Sequence, residues 1–166
     1  GYFSMNSIVI VGFSDIASDC YDSEIDVIEP PVEIDNWCRL TFPHNDIGAG
    51  DCWENNFGVN KFTQDIRNKD DNFLENNYLE WDLEFNAEIP GRVSLFLLND
   101  DIWADCNYIF EYNFQTYDFT IDDTLLIWYM QFVNPPLSLK FNIGECNSLK
   151  NSGNYIIEEK LDIINT

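Results

Sequence analysis

A period of two is the feature that most limits what this chain can fold into. Leu79, Trp81, Leu83 and Phe85 alternate with Glu80, Asp82, Glu84 and Asn86. Successive side chains of a strand point to opposite faces, so the run predicts a half-buried strand with one wet, acidic face. Leu137, Leu139, Phe141 and Ile143 alternate with Ser138, Lys140 and Asn142 in the same way. The segments 92–98 and 108–114 are rich in aromatic and β-branched residues. Leu125 to Val133 is apolar on both faces, which predicts a central strand. Ser7 to Phe13 and Tyr155 to Ile164 add strands near the two ends, and Ile89-Pro90-Gly91 and Asn134-Pro135-Pro136 read as turns. No stretch sustains a 3.6-residue period. The fold class expected is all-β: an antiparallel β-sandwich, Ig-like or jelly-roll, of roughly eight to ten strands with an extended N-terminal strand.

Three regions follow. Residues 1–14 form a strand or arm that could be exchanged between subunits. Residues 15–31 are an acidic linker ending in the stiff Glu29-Pro30-Pro31, and residues 32–166 are the sandwich. The length suits one domain with a substantial core.

Charge narrows the choice of partner. Lys+Arg number 8 against 30 Asp+Glu, a net charge of −22. Such a chain repels nucleic-acid phosphates and anionic lipids, so neither nucleic acid nor membrane insertion is expected. The longest dense apolar run, Leu125 to Met130, is too short to span a bilayer. Aromatics at 16% separate the chain from disordered acidic tails. It begins at Gly1, consistent with an exported form after signal-peptide removal, and an extracellular or cell-surface location is expected.

The five cysteines, Cys20, Cys38, Cys52, Cys106 and Cys146, include no C-x-x-C pair. In an exported acidic β-protein disulfides are the default reading, and the odd number leaves one thiol over. Cys38 and Cys52 flank a loop rich in Gly and Asp and are one expected pair; Cys106 and Cys146 are the other. Buried reduced thiols are the alternative.

Divalent cations would relieve the self-repulsion, and oxygen-rich loops are what calcium prefers. Asp15, Asp19, Asp22, Glu24 and Asp26 fall within one segment without periodicity and are the candidate ligands. The spacing is not that of an EF-hand, and a solvated acidic linker is the alternative. Smaller clusters at Asp70-Asp71, Asp100-Asp101 with Asp105, and Asp122-Asp123 read as turns.

Nothing in the residues points to catalysis. His44 is the single histidine and lies in a Pro-His-Asn-Asp turn, and no Gly-rich phosphate loop is present. A carboxylate pair for glycoside hydrolysis is expected by chance among so many acids. The chain is therefore read as no enzyme. Trp53 and Trp103 lie in polar, loop-like contexts and are the candidate stacking platforms for a sugar; Trp81 and Trp128 read as core.

Residues 13–31 run from Phe13 through the Asp-rich segment to Glu29-Pro30-Pro31. Leu40-Thr41-Phe42-Pro43-His44, then Phe62-Thr63-Gln64-Asp65-Ile66-Arg67, then Trp81 and Ile89-Pro90-Gly91 follow in order. Over about residues 13–143 this order resembles a β-sandwich module that recurs in large secreted bacterial proteins near C-terminal sorting or dockerin segments. Cys20 stands where that module has a Gly. The resemblance implies the fold class, export, and a cation held by Asp15, Asp19, Asp22 and Asp26; it implies no activity.

The uncharged run Ile8, Val9, Ile10, Val11 and Phe13 templates pairing with another strand. In a monomer it pairs with its own sheet. In a polymer it would complete a neighbour's sheet by strand addition, giving a homopolymer. The function expected is an extracellular structural protein, the subunit of a surface filament or matrix stabilised by calcium. The alternative is a carbohydrate-binding or adhesive β-sandwich module with polysaccharide as partner.

Overall fold

The alternating segments form strands, and their apolar rows meet in one core. In the computed structural model, residues 2–29, 38–44, 50–68, 78–88, 90–98, 106–119, 124–129, 137–144, 146 and 152–164 are described. Among them are eleven strands: β1 (Tyr2–Ser14), β2 (Val27–Ile28), β3 (Cys38–Pro43), β4 (Lys61–Asn68), β5 (Tyr78–Ala87), β6 (Gly91–Leu97), β7 (Asn107–Tyr112), β8 (Gln115–Asp118), β9 (Thr124–Tyr129), β10 (Leu137–Gly144) and β11 (Ser152–Ile164). No helix long and apolar enough to cross a membrane occurs among the described residues.

The strands follow one path, β8-β7-β10-β5-β3-β4-β1-β11-β6-β9, with β2 added beside β4. The pairing is antiparallel except between β1 and β4, which run parallel from Ile10↔Gln64 to Ser14↔Asn68. The all-β, sandwich-like class is thus as expected, in a mixed sheet that curls into a half-barrel. Strand β3 is the corner. Its Cys38–Thr41 pair with Glu84–Ala87 of β5, whereas Phe42 and Pro43 pair with Phe62 and Lys61 of β4. The sheet folds over at β3, and the half containing β5, β10 and β7 faces the half containing β1, β11 and β6.

Strand β5 buries Leu79, Trp81, Leu83, Phe85 and Ala87, and β10 buries Leu139, Phe141 and Ile143. The opposing half contributes Val9, Val11, Phe13, Val93, Leu95, Tyr155, Ile157 and Leu161. These residues form a single cluster. Burying one such side chain contributes about 1.5–3 kcal/mol, so the two apolar rows are the main force closing the halves. Gly91 opens β6 because β11 passes too close for a side chain: a Cβ there would lie 2.5 Å from the Asp162 carbonyl oxygen.

The run around Ile8–Phe13 takes, within this chain, the self-paired one of its two expected arrangements. Strand β1 pairs with β11 along its whole length, from Tyr2↔Ile164 to Ser14↔Ser152, and with β4 over its last five residues. The chain itself covers this strand, which carries Val9, Val11 and Phe13 into the core. The segment around Leu125 was expected at the sheet centre. Instead β9 ends the sheet, paired to β6 alone among the described residues.

Candidate functional site

An open groove of about 660 Å³ lies against the wet side of β5, β10 and β7, beside the β7–β8 hairpin. The alternation that buried the apolar rows places Asp82, Glu84, Ser138, Lys140 and Glu111 here. Register brings them together. Asp82 pairs with Lys140, Lys140 with Glu111, and Glu111 with Thr116, so one polar row crosses four strands. Side chains directly opposite on neighbouring strands lie about 5 Å apart, within hydrogen-bonding reach of one bound molecule.

One of the chain's scarce cations, Lys140, stands in this row. Lys140 Nζ lies 3.2 Å from Glu80 Oε1 and 3.9 Å from Asp82 Oδ1. Hydrogen bonding to Glu80, then the charges of Glu80, Asp82 and Glu111, hold the Lys140 pKa above its ordinary value. Lys61 Nζ lies 3.1 Å from Glu84 Oε1. Exposed pairs like these contribute little to stability. They set carboxylate and ammonium groups side by side as acceptors and donors.

The hairpin closes the groove at one end. Tyr112 pairs with Gln115, leaving a two-residue loop of Asn113 and Phe114 with φ of 52° and 64°. Both central residues of a type I′ hairpin need positive φ, which Asn tolerates and a bulky ring does not. Phe114 is also fully exposed. A strained, solvated aromatic serves neither the core nor the turn, and such outliers cluster at ligand clamps.

A second polar cluster lies where β3 leaves the sheet. The His44 ring stacks on Trp53 at 3.6 Å and 13°, and Phe62 meets both rings edge-on. His44 Nε2 is 3.7 Å from Asp65 Oδ2. Arg67 donates to that same oxygen at 3.3 and 3.1 Å, donates to the Glu80 carbonyl, and lies over the Trp81 ring. Strand β4 shares its inward face with Val11 and Phe13, which is why Asp65 and Arg67 point inward. This cluster seals one end of the core.

The acidic segment folds onto β4. Asp19 accepts the Asn68 N–H and Asp22 accepts the Ser18 N–H and hydroxyl. Asp26 is buried and accepts the N–H groups of Asp22 and Ile66. Its pKa rises to about 7 because burial outweighs those two hydrogen bonds. The Gln64 side chain donates to the Ile25 carbonyl. Asp15 and Glu24 are exposed. Of the candidate calcium ligands Asp22 and Asp26 are brought near each other, and among the described residues no three His, Cys, Asp or Glu side chains converge as metal ligands.

The disulfides are Cys20–Cys52 and Cys106–Cys146. The second was expected; the first replaces the expected Cys38–Cys52. Cys38 opens β3 and Pro43 closes it, which puts Cys38 about 16 Å along the strand from where the chain departs toward Cys52. That departing loop is drawn instead to residue 21, whose N–H donates to the Cys52 carbonyl. Cys38 is the free, buried thiol. Trp53 is corrected too. It is 8% exposed, held by His44, Phe62 and Tyr21, and presents no platform. Trp103 lies outside the described residues, as do the turns at 70–71, 99–101 and 134–136.

Lys140, Glu111 and Phe114 were not singled out in the sequence. The alternation of β10 marked Lys140 as wet, but its neighbours depend on register. Comparison of the chain with family models, curated proteins and solved structures returns no match.

Proposed function

We propose that this protein is an extracellular β-sandwich module that binds a polysaccharide in the groove beside the β7–β8 hairpin, in an adhesive rather than catalytic role. The observation that carries the reading is the oriented polar row Asp82–Lys140–Glu111–Thr116 ending at the strained, exposed Phe114. Sugar hydroxyls need fixed donors and acceptors side by side, and a pyranose face needs an aromatic ring to cover. The groove volume falls within the usual range for small-molecule sites. Carboxylates outnumber cations in the groove, so neutral and amino-sugar chains are favoured over uronates or sulfated chains. Two disulfides in a small domain support an oxidising, extracellular setting.

Affinity electrophoresis tests this. Migration through gels containing a neutral glucan, chitosan or alginate should be retarded by one of the first two and not by alginate. Phe114→Ala should restore free migration. Free migration in every gel rejects the reading.

One observation favours a second reading, a subunit of a surface filament or matrix. Strand β9 pairs on one edge alone among the described residues, and a free edge is a template for strand addition. The exposed carboxylates Asp15 and Glu24 would then be neutralised between copies by calcium. Light scattering with calcium and then with chelator separates this reading from a monomeric module.

A further inference from the structure

The core row of β11 reads Tyr155, Ile157, Glu159, Leu161, so a carboxyl stands where an apolar residue belongs. Glu159 is 0% exposed and neither of its oxygens has a hydrogen-bond partner of normal geometry. Its strand neighbours at this level are Ser7 of β1 and Leu95 of β6, and neither carries a charge. Among the described residues the Cys38 thiol, at the start of the corner strand β3, is the side chain that interacts with its carboxyl by hydrogen bonding. The nearby charges are Glu158, which repels, and Arg39, which pairs with Glu29 at 3.9 Å. Lys160 follows Glu159 on the opposite face of β11.

A carboxylate in such a place has lost its water and gained only the weak Cys38 thiol donor, so burial wins and the site favours the protonated acid. Burial pushes the Glu159 pKa up to about 8. The thiol is suppressed as well: burial and the adjacent carboxyl both raise its pKa. In the closed protein Cys38 therefore offers little thiolate, and reaction there requires opening.

We propose that Glu159 and Cys38 form a proton-held latch at the sheet corner, in which loss of the Glu159 proton favours separation of β3 from β11 and delivers Cys38 to solvent as a thiol-modification site. The latch is tightest in acid. Once the pH exceeds the pKa of an exposed glutamate, the open state gains a proton-release advantage. The opening equilibrium then rises about tenfold per pH unit. It levels off when Glu159 ionises in the closed state as well.

The test uses the whole chain with both disulfides intact and a small aromatic disulfide as probe. The Cys38 thiolate attacks one probe sulfur, a mixed disulfide forms, and the other half leaves as a thiolate that is read by its absorbance. The rate is measured from pH 5.5 to 9 and divided by that of a free-cysteine peptide, which removes ordinary thiol ionisation. Cys38→Ser supplies the blank. The native ratio should climb about tenfold per unit to near pH 8 and then flatten. Glu159→Gln should give a flat ratio, and Glu159→Met serves if the glutamine variant fails to fold. Amide exchange of β3 and β11 in the unmodified chain, corrected for intrinsic exchange, should rise over the same range. A native ratio that stays flat, a variant that keeps the native profile, or β3 and β11 amides indifferent to pH overturns the latch.

Discussion

The hydroxyls of Tyr108 and Tyr155 meet across the core at 3.2 Å, joining β7 of one half of the sheet to β11 of the other. Both residues are fully buried, and their rings lie 5.2 Å apart at a tilt of 56°. Burial and the Tyr108 hydroxyl push the Tyr155 pKa up, so Tyr155 stays neutral. Removing the Tyr108 hydroxyl leaves that of Tyr155 in a dry core without its donor. Tyr108→Phe should therefore cost about 1–3 kcal/mol, whereas the double Tyr108→Phe, Tyr155→Phe variant should recover part of that loss. Urea unfolding of the four proteins of this cycle measures it. Additive losses would contradict a direct hydrogen bond.

The covalent frame gives a second prediction. Cys20–Cys52 closes a loop with a sequence separation of 32 residues, and its removal should cost about 3–4 kcal/mol by chain entropy. Denatured, unreduced protein should titrate for one thiol, and peptide mapping should place it at Cys38. A thiol found at Cys20, with Cys38 joined to Cys52, would contradict the fold of the 50–60 loop.

Stability should fall as pH rises. The Asp26 pKa is raised from 3.8 to about 7 and that of Glu159 from 4.5 to about 8, each chiefly by burial. The unfolded chain releases these protons at lower pH than the folded one. Both groups thus contribute full stability below about pH 4, and the contribution is lost as pH rises toward 8. The loss is on the order of several kcal/mol. Melting followed by circular dichroism should show Tm declining from pH 5 to pH 8, with a shallower decline in Glu159→Met. A Tm that rises over this range would contradict the assignment.

The hairpin tip should trade stability for binding. Phe114 has a φ of 64°, a conformation that costs a side chain about 1 kcal/mol and costs glycine nothing. Phe114→Gly should raise stability by up to about that amount while weakening polysaccharide retention. A variant that is stabilised yet binds as before would remove Phe114 from the site.

The strands were legible because burial writes itself into the sequence every second residue. The β5 and β10 alternation maps directly onto their buried rows. Pairing was less legible. The apolar character of Ile8–Val11 marks a strand, but it does not name β11 and β4 as partners, and the exchanged arm was one of two readings it allowed. Trp53 looked solvated from its neighbours Asp51, Glu54 and Asn55. It is buried because Cys20–Cys52 and Tyr21 bring that loop onto Phe62. The acidic segment read as a free set of ligands because carboxylates spent on backbone N–H groups look no different in sequence from those facing water. The groove was invisible for a related reason: its row draws single residues from four strands, and only register sets them side by side.

The central claim is that the wet row beside the β7–β8 hairpin is where a polysaccharide binds. Titrating isotope-labelled protein with a short neutral or amino-sugar oligosaccharide, and mapping the amide shifts by NMR, tests it most directly. The account predicts shifts concentrated at Asp82–Glu84, Glu111–Thr116 and Ser138–Lys140. Shifts absent with every oligosaccharide tried, or confined to other faces such as the 15–28 segment, would contradict it.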